Sequence, residues 1–203
     1  MPPPLPIAVL VSGEGTTLDA IAEQVSAGTL PVRIVLVVSD RPNVPALAKA
    51  RRRGLPTVEL PSRKSDREAW ARSLTGVLEV AGAELVVNAG FLSILPASWV
   101  DRWAGRAINL HPALLPRYGG MGMYGAHVHR AVLASGDRES GASVHLVTAQ
   151  VDGGPVIAQE RIPVLPGDTP ESLRERLHPV EVRILSETIR RFAAGELPLP
   201  YRV

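Results

Sequence analysis

The chain has 203 residues, 45% apolar and 21% charged, enough to bury one sizeable core and too apolar for a disordered or fibrous protein. Its net charge is only +2, with arginines scattered over several helical segments, which argues against nucleic acid as the main partner. Cysteine is absent, so disulfides, thiolate nucleophiles and cysteine-held zinc are excluded together, and the cytoplasm is the simplest compartment.

Residues 1–4 read as a loose start, and the apolar run 7–11 is far too short for a signal core or a membrane span. It reads as a first buried strand. The strand runs into Ser12-Gly13-Glu14-Gly15-Thr16-Thr17-Leu18, a glycine-containing turn that opens a helix and presents free backbone amides to an anion such as phosphate. The third glycine of the dinucleotide fingerprint is missing and no Gly-Lys-Ser/Thr follows, so neither a dinucleotide site nor a nucleotide P-loop is specified. Residues 34–38, 85–87 and 108–110 repeat the Val- and Ile-rich pattern of strands buried on both faces. Between them, residues 65–81 carry Trp70, Leu74, Val77, Leu78 and Ala81 at helical spacing, a stripe for the sheet with Arg and Glu turned to water. Gly90, at a strand end, marks a close approach, while Phe91, Leu92, Ile94 and Leu95 read as core on composition alone.

The pattern changes after His111, with a glycine-rich stretch over 119–125, a helix around 127–134, and two strand-like segments, 143–147 and 156–161, able to pair antiparallel at one side of the sheet. Asp168-Thr169-Pro170-Glu171 is a helix start, and the helix should run to Ala193 or Ala194, with Pro179 interrupting or kinking it. Apolar runs alternating with amphipathic segments predict an α/β, Rossmann-like fold: a mostly parallel twisted sheet, helices on both faces, antiparallel strands toward the C-terminal part. One domain over 1–203 is expected.

The chemistry concentrates in Ile108-Asn109-Leu110-His111-Pro112 and in Val151-Asp152-Gly153-Gly154-Pro155. In an extended strand Ile108 and Leu110 face the core while Asn109 and His111 project together from the other face. An amide, an imidazole and a carboxylate that meet can run a metal-free acyl transfer: Asn109 and a protonated His111 stabilise the oxyanion of a tetrahedral intermediate. Asp152, set in a glycine turn, favours the charged imidazole and collects the proton lost by an attacking amine. Other candidates are weaker. His127 and His129 look like a metal clip but point to different faces of a helix with no third ligand, so both are expected at the surface. Ser143 and His145 share a strand face without the pattern of a serine nucleophile and are expected to support the site.

At these residues the chain resembles the folate-dependent formyltransferases over almost its full length. The likeness is carried by the turn 12–18, Ser65-Asp66-Arg67-Glu68, Ala89-Gly90-Phe91 with Ile94-Leu95, Asn109-Leu110-His111-Pro112, Leu114-Leu115-Pro116, Ser143-Val144-His145 and Asp152-Gly153-Gly154-Pro155. Its length and ends are most similar to the members that formylate glycinamide ribonucleotide in purine synthesis. The resemblance implies 10-formyltetrahydrofolate as co-substrate, no metal, and small-molecule substrates without nucleic-acid or membrane partners, in a monomer or homodimer. It implies His111 as general acid and oxyanion partner, Asn109 as second oxyanion donor, and Asp152 as the group that keeps His111 charged and moves the proton. Gly13, Gly15, Thr16 and Thr17 would form the phosphate turn and Glu181 would hold the ribose. Arg67, Leu92, Ser93, Ile94 and Leu95, with Asn109, would bind the folate. The chain departs from the family at Thr17, where Asn is usual, at Glu14, where a neutral or basic residue is frequent, and at Ser93, where Arg is frequent. Segment 119–129 is also longer than in many relatives, like an inserted flap, and Pro179 lies two residues before Glu181. Two other functions fit parts of the pattern. A formyltetrahydrofolate hydrolase would use the same three residues with water, and a non-catalytic Rossmann-type nucleotide-binding module would use the turn alone. Hydrolases of that kind resemble this domain with a regulatory domain added, for which the chain has no spare residues.

Overall fold

The computed structural model describes residues 3–62 and 65–202, so the loose start expected for residues 1–4 lies, for residues 1–2, outside the described residues. Strands β1 (Leu5–Val11), β2 (Val32–Ser39), β3 (Thr57–Glu59), β4 (Leu85–Asn88), β5 (Ala107–His111), β6 (Glu139–Leu146) and β7 (Val156–Pro163) form one sheet in the order β3-β2-β1-β4-β5-β6-β7. The first five are parallel, and β6 and β7 add antiparallel at one side, as the sequence implies. Helices α1 (Thr16–Ser26), α2 (Pro45–Arg52), α3 (Arg67–Val80), α4 (Ala97–Arg102), α5 (Ala126–Ala134) and α6 (Pro170–Ala193) connect and cover them.

Strand β1 shows why the apolar runs are unbroken. Ile7, Val9 and Val11 enter a core shared with α1, α2 and α6, while Ala8 and Leu10 enter a second core built on α3 and α4. Alternate side chains therefore meet helices on opposite faces. Leu185 of α6 and Leu74 of α3 are both fully buried, and each such leucine stabilises the fold by about 1.5–3 kcal/mol relative to an exposed one. On α3 the buried residues are Trp70, Ala71, Leu74 and Leu78, and the Asp66 side chain caps the helix by accepting from the Ala69 amide at 2.9 Å. Helix α6 opens with the reciprocal cap expected at its start: the Thr169 hydroxyl accepts from the Ser172 amide and Ser172 accepts from the Thr169 amide.

Four features depart from the sequence reading. Helix α6 is continuous across Pro179 for 24 residues, so of the two effects expected of that proline, interruption does not occur. Pro179 and Glu175, whose carbonyl loses its helical partner, are both exposed, so water can satisfy that carbonyl. Strand β6 begins at Glu139, ahead of the expected 143. Elements β3, α2 and α4 are short additions that the periodicity does not reveal. His129 is buried, at 1% exposure, where a surface position was expected.

The sheet order reverses between β1 and β4: from β1 the chain builds outward through β2 and β3, then returns to the other side of β1 as β4. Crossovers leaving on opposite sides open a crevice at the carboxyl ends of these two strands.

Candidate active site

The crevice is framed by two segments latched to each other. The Ser12 amide donates to the Gly90 carbonyl at 3.2 Å, and the Ser12 hydroxyl accepts from the Leu92 amide at 2.8 Å, joining the turn after β1 to the segment after β4. Gly15 caps α1 in the left-handed region, φ 67°, and no side chain caps the helix, so the amides of Thr16 and Thr17 are left for solvent or an anion. A Cβ on Gly15 would sit 2.5 Å from that of Ala46, because the turn packs on the start of α2, where the Ala46 amide donates to the Gly13 carbonyl at 3.0 Å. The Glu14 side chain is exposed, and Lys49 of α2 donates to the Glu14 carbonyl at 2.7 Å, bringing a positive charge that the sequence reading did not assign to this turn.

Beyond β4 lies the cluster that the two sequence motifs anticipate. Antiparallel register sets Asn109 opposite His145 and His111 opposite Ser143. Asp152 arrives from the turn between β6 and β7, itself in the left-handed region at φ 53°. Gly154 makes that approach possible, since a Cβ there would fall 1.8 Å from the Leu146 carbonyl oxygen. The Asp152 carboxylate then faces four groups. Oδ1 lies 3.4 Å from Asn109 Nδ2 and 3.5 Å from His145 Nε2, and Oδ2 lies 3.5 Å from His111 Nδ1 and accepts from the Gly120 amide at 2.9 Å. His145 Nδ1 lies 2.8 Å from the Leu146 carbonyl, which can only accept, and Nε2 lies 3.0 Å from Asn109 Nδ2, so the ring orients that amide. Ser143, also expected as a supporting residue, donates to the Ala113 carbonyl at 2.6 Å and accepts from the Leu115 amide, fixing the loop that follows His111.

The electrostatics of the cluster pull His111 two ways. Burial drives the His111 imidazole below its ordinary pKa, and the opposing effects of the Asp152 charge and of the Tyr118 carbonyl do not offset it. That direction runs against the charged imidazole that the Asp152 carboxylate alone would favour. Asp152 is held below the ordinary carboxylate range: its burial acts upward, but the His145 and His111 imidazoles beside it and the Gly120 amide together outweigh it. The charge of Glu181, an α6 carboxylate 3.2 Å from His178 Nδ1, acts upward on both His111 and His129. His129, with Nδ1 unpartnered, is pushed below its ordinary pKa by burial, and His127 on the other face of α5 is exposed. Among the described residues, no group of three or more His, Cys, Asp or Glu could hold a metal ion.

A cleft beside the cluster is lined by Leu92, Ser93, Ile94, Leu95 and Asn109, together with Asn88, Phe91, His145 and residues 147–152. Asn88 brings to this cleft a buried side-chain oxygen that has no hydrogen-bond partner. Ser93 donates to Asp40 Oδ2 at 2.6 Å, so it is bound from behind by the end of β2. Arg67 is exposed on the first turn of α3 and is not among the lining residues. The sequence reading missed Asn88 and residues 147–151; their only signal is position, at the end of a strand and ahead of Asp152. A second groove, of about 550 Å³ and lined by residues including Arg117, Arg138 and Gln159, contains none of the three clustered side chains.

Residues 5–189 match the family model described as Formyl transferase. The chain is 38% identical over 194 residues to phosphoribosylglycinamide formyltransferase of Escherichia coli, covering 95% of this chain and 89% of that protein. It is 39% identical to part of the trifunctional purine biosynthetic protein adenosine-3 of Gallus gallus, spanning 93% of this chain and only 18% of that protein. Among solved structures, a phosphoribosylglycinamide formyltransferase from Coxiella burnetii superposes with a TM-score of 0.88 at 39% identity, over 95% of this chain and 88% of that one.

Proposed function

The chain belongs to the formyl transferase family, and from that premise we propose that it transfers the formyl group of 10-formyltetrahydrofolate to the amine of phosphoribosylglycinamide in purine biosynthesis. The observation that carries this reading is the meeting of Asn109, His111 and Asp152 between an uncapped helix start and the cleft lined by residues 91–95. In it, the first-turn amides at Thr16 and Thr17, with Gly13 and Gly15, take the phosphate, and Glu181 holds the ribose. Leu92, Ser93, Ile94 and Leu95 hold the folate ring, and Arg67 meets the more distant part of the folate.

The reaction asks for one proton to move. The amine nitrogen bonds to the formyl carbon, the carbonyl oxygen becomes an oxyanion, and the bond to the folate nitrogen then breaks, so the amine loses one proton and the leaving nitrogen gains one. Asn109 donates its amide to the oxyanion. Asp152, ionised at rest, receives the amine proton and passes it to His111, whose neutral resting state leaves it free to accept. His111, now charged, supports the oxyanion and protonates the leaving nitrogen. No covalent enzyme intermediate is needed. The low resting pKa of His111 thus suits a group that is charged only during turnover.

No helix among the described residues is long and apolar enough to cross a membrane. The reading is completed by a single domain over 1–203, in the cytoplasm, as a monomer or homodimer without nucleic-acid or membrane partners. Mixing the protein with both substrates and following products by mass spectrometry tests the activity. Formylglycinamide ribonucleotide and tetrahydrofolate should appear together, and absence of the formylated product sinks the proposal.

A further inference from the structure

His111 has two nitrogens, and the segment that follows it decides what each can do. Nε2 lies 2.8 Å from the backbone carbonyl of Tyr118, which can only accept, so Nε2 carries a hydrogen whether the ring is charged or neutral. The neutral ring therefore keeps its lone pair on Nδ1, on the side of Asp152 Oδ2. Tyr118 makes this contact from a left-handed backbone, φ 56°, a conformation that residues with side chains rarely adopt and that the surroundings must hold.

What holds it is the other end of the same residue. The Tyr118 hydroxyl donates to Asp137 Oδ2 at 2.6 Å, lies 2.6 Å from Ser135 Oγ and accepts from Arg117 at 3.0 Å, and the Arg117 guanidinium covers the ring at 5.1 Å. Asp137 is held below the ordinary carboxylate range, with the Tyr118 hydrogen bond as the largest cause. Two residues on, the Gly120 amide donates to Asp152. One short segment thus touches both partners of the proton pathway and is pinned at Asp137, just past the end of α5.

We propose that Tyr118 is a positioning residue for formyl transfer: its hydroxyl, anchored on Asp137 and Ser135, holds its own carbonyl against Nε2 of His111, so that the proton exchanged in the reaction is carried on Nδ1. The proposal rests on the formyl-transfer reading above for its kinetic consequence, but not for the ring tautomer. During turnover an N–H bond of the amine breaks, its proton reaches Nδ1 by way of Asp152, and the Nδ1–H bond breaks as the leaving nitrogen is protonated. Nε2 keeps its hydrogen throughout. Replacing Tyr118 leaves in place the charged and titratable groups that act on His111, namely Asp152, His145 and Glu181, together with His129 from α5.

The test is nitrogen NMR of histidine-labelled full-length protein, with the His111 signals assigned by their loss in His111→Gln, alongside steady-state kinetics. Wild type should show neutral His111 as the Nε2–H tautomer. Tyr118→Phe and Asp137→Ala should mix the tautomers and lower kcat about tenfold with KM changed less than about twofold, as expected when orientation rather than binding is lost. Asp137→Asn, which keeps an acceptor for the hydroxyl, should restore the wild-type tautomer and most of kcat, and it decides the matter if Tyr118→Phe does not fold. A wild-type ring protonated on Nδ1, or unchanged ring signals and kcat in both Tyr118→Phe and Asp137→Ala, overturns the proposal. A protein that shows the Nε2–H tautomer but transfers no formyl group contradicts the function and leaves the tautomer assignment standing.

Discussion

The turn after β1 and the cluster at the end of β5 sit on the same crevice but are made of different materials. The turn offers backbone: first-turn amides exposed by Gly15, with side chains at Glu14, Thr16 and Thr17 facing outward or half-buried. The cluster offers side chains interlocked with one another and with backbone groups of Tyr118, Gly120 and Leu146, and His111 and His145 are almost fully buried. A site of amides tolerates changes in side-chain identity but not a Cβ where the chain must bend. A site of interlocked side chains tolerates the reverse.

The largest effect that can break this contrast is in the cluster. His111→Ala should lower kcat/KM about 1,000-fold, because an acid and an oxyanion partner go together, while ribonucleotide binding measured by calorimetry stays intact. A mutant with unchanged rate removes His111 from the mechanism. Next comes Gly15→Ala, which forces a Cβ into the left-handed turn and against Ala46. It should lower stability by roughly 1–3 kcal/mol and raise KM for the ribonucleotide more than it lowers kcat, as read by thermal melts and initial rates. If Gly15→Ala is as stable and as active as wild type, the turn does not bind by its backbone. Thr17→Val, by the same reasoning, should change KM by less than about threefold, and a large loss of phosphate-dependent binding would show that its hydroxyl matters.

The smallest effect is electrostatic. His111 and His129 are both held below the ordinary imidazole range, so below about pH 6.5 the unfolded chain takes up protons that the folded chain refuses. Stability from these groups is complete above that pH and is lost as pH falls through their folded-state values. Asp152, depressed as well, adds its loss only below about pH 4. His129→Gln should make the fall in melting temperature between pH 7 and pH 5 shallower than in wild type, and an equal slope would show that His129 does not contribute.

The same contrast explains what the sequence could disclose. Strands β1, β2, β4 and β5 are visible because side chains on both faces are buried, leaving uninterrupted apolar runs. Strand β3, at three residues on the sheet edge, is too short to show a period, and α2 buries only Ala46, Leu47 and Ala50. Asn109 and His111 are legible because strand alternation alone sets them on one side, and Asp152 because it stands in a glycine turn. The rest depends on tertiary placement. His145 reaches Asn109 through antiparallel register, Tyr118 reaches His111 through a backbone carbonyl, His129 is buried where α5 packs on α6, and the His111 pKa is lowered because burial outweighs a visible carboxylate.

Formyl transfer measured with and without phosphoribosylglycinamide tests the central claim most directly, with formate and the formylated ribonucleotide quantified in the same reaction. Tetrahydrofolate and formylglycinamide ribonucleotide should form in equal amounts, and only when the amine is present. Formate released from 10-formyltetrahydrofolate at the same rate without the amine would contradict it, because the cluster would then be activating water.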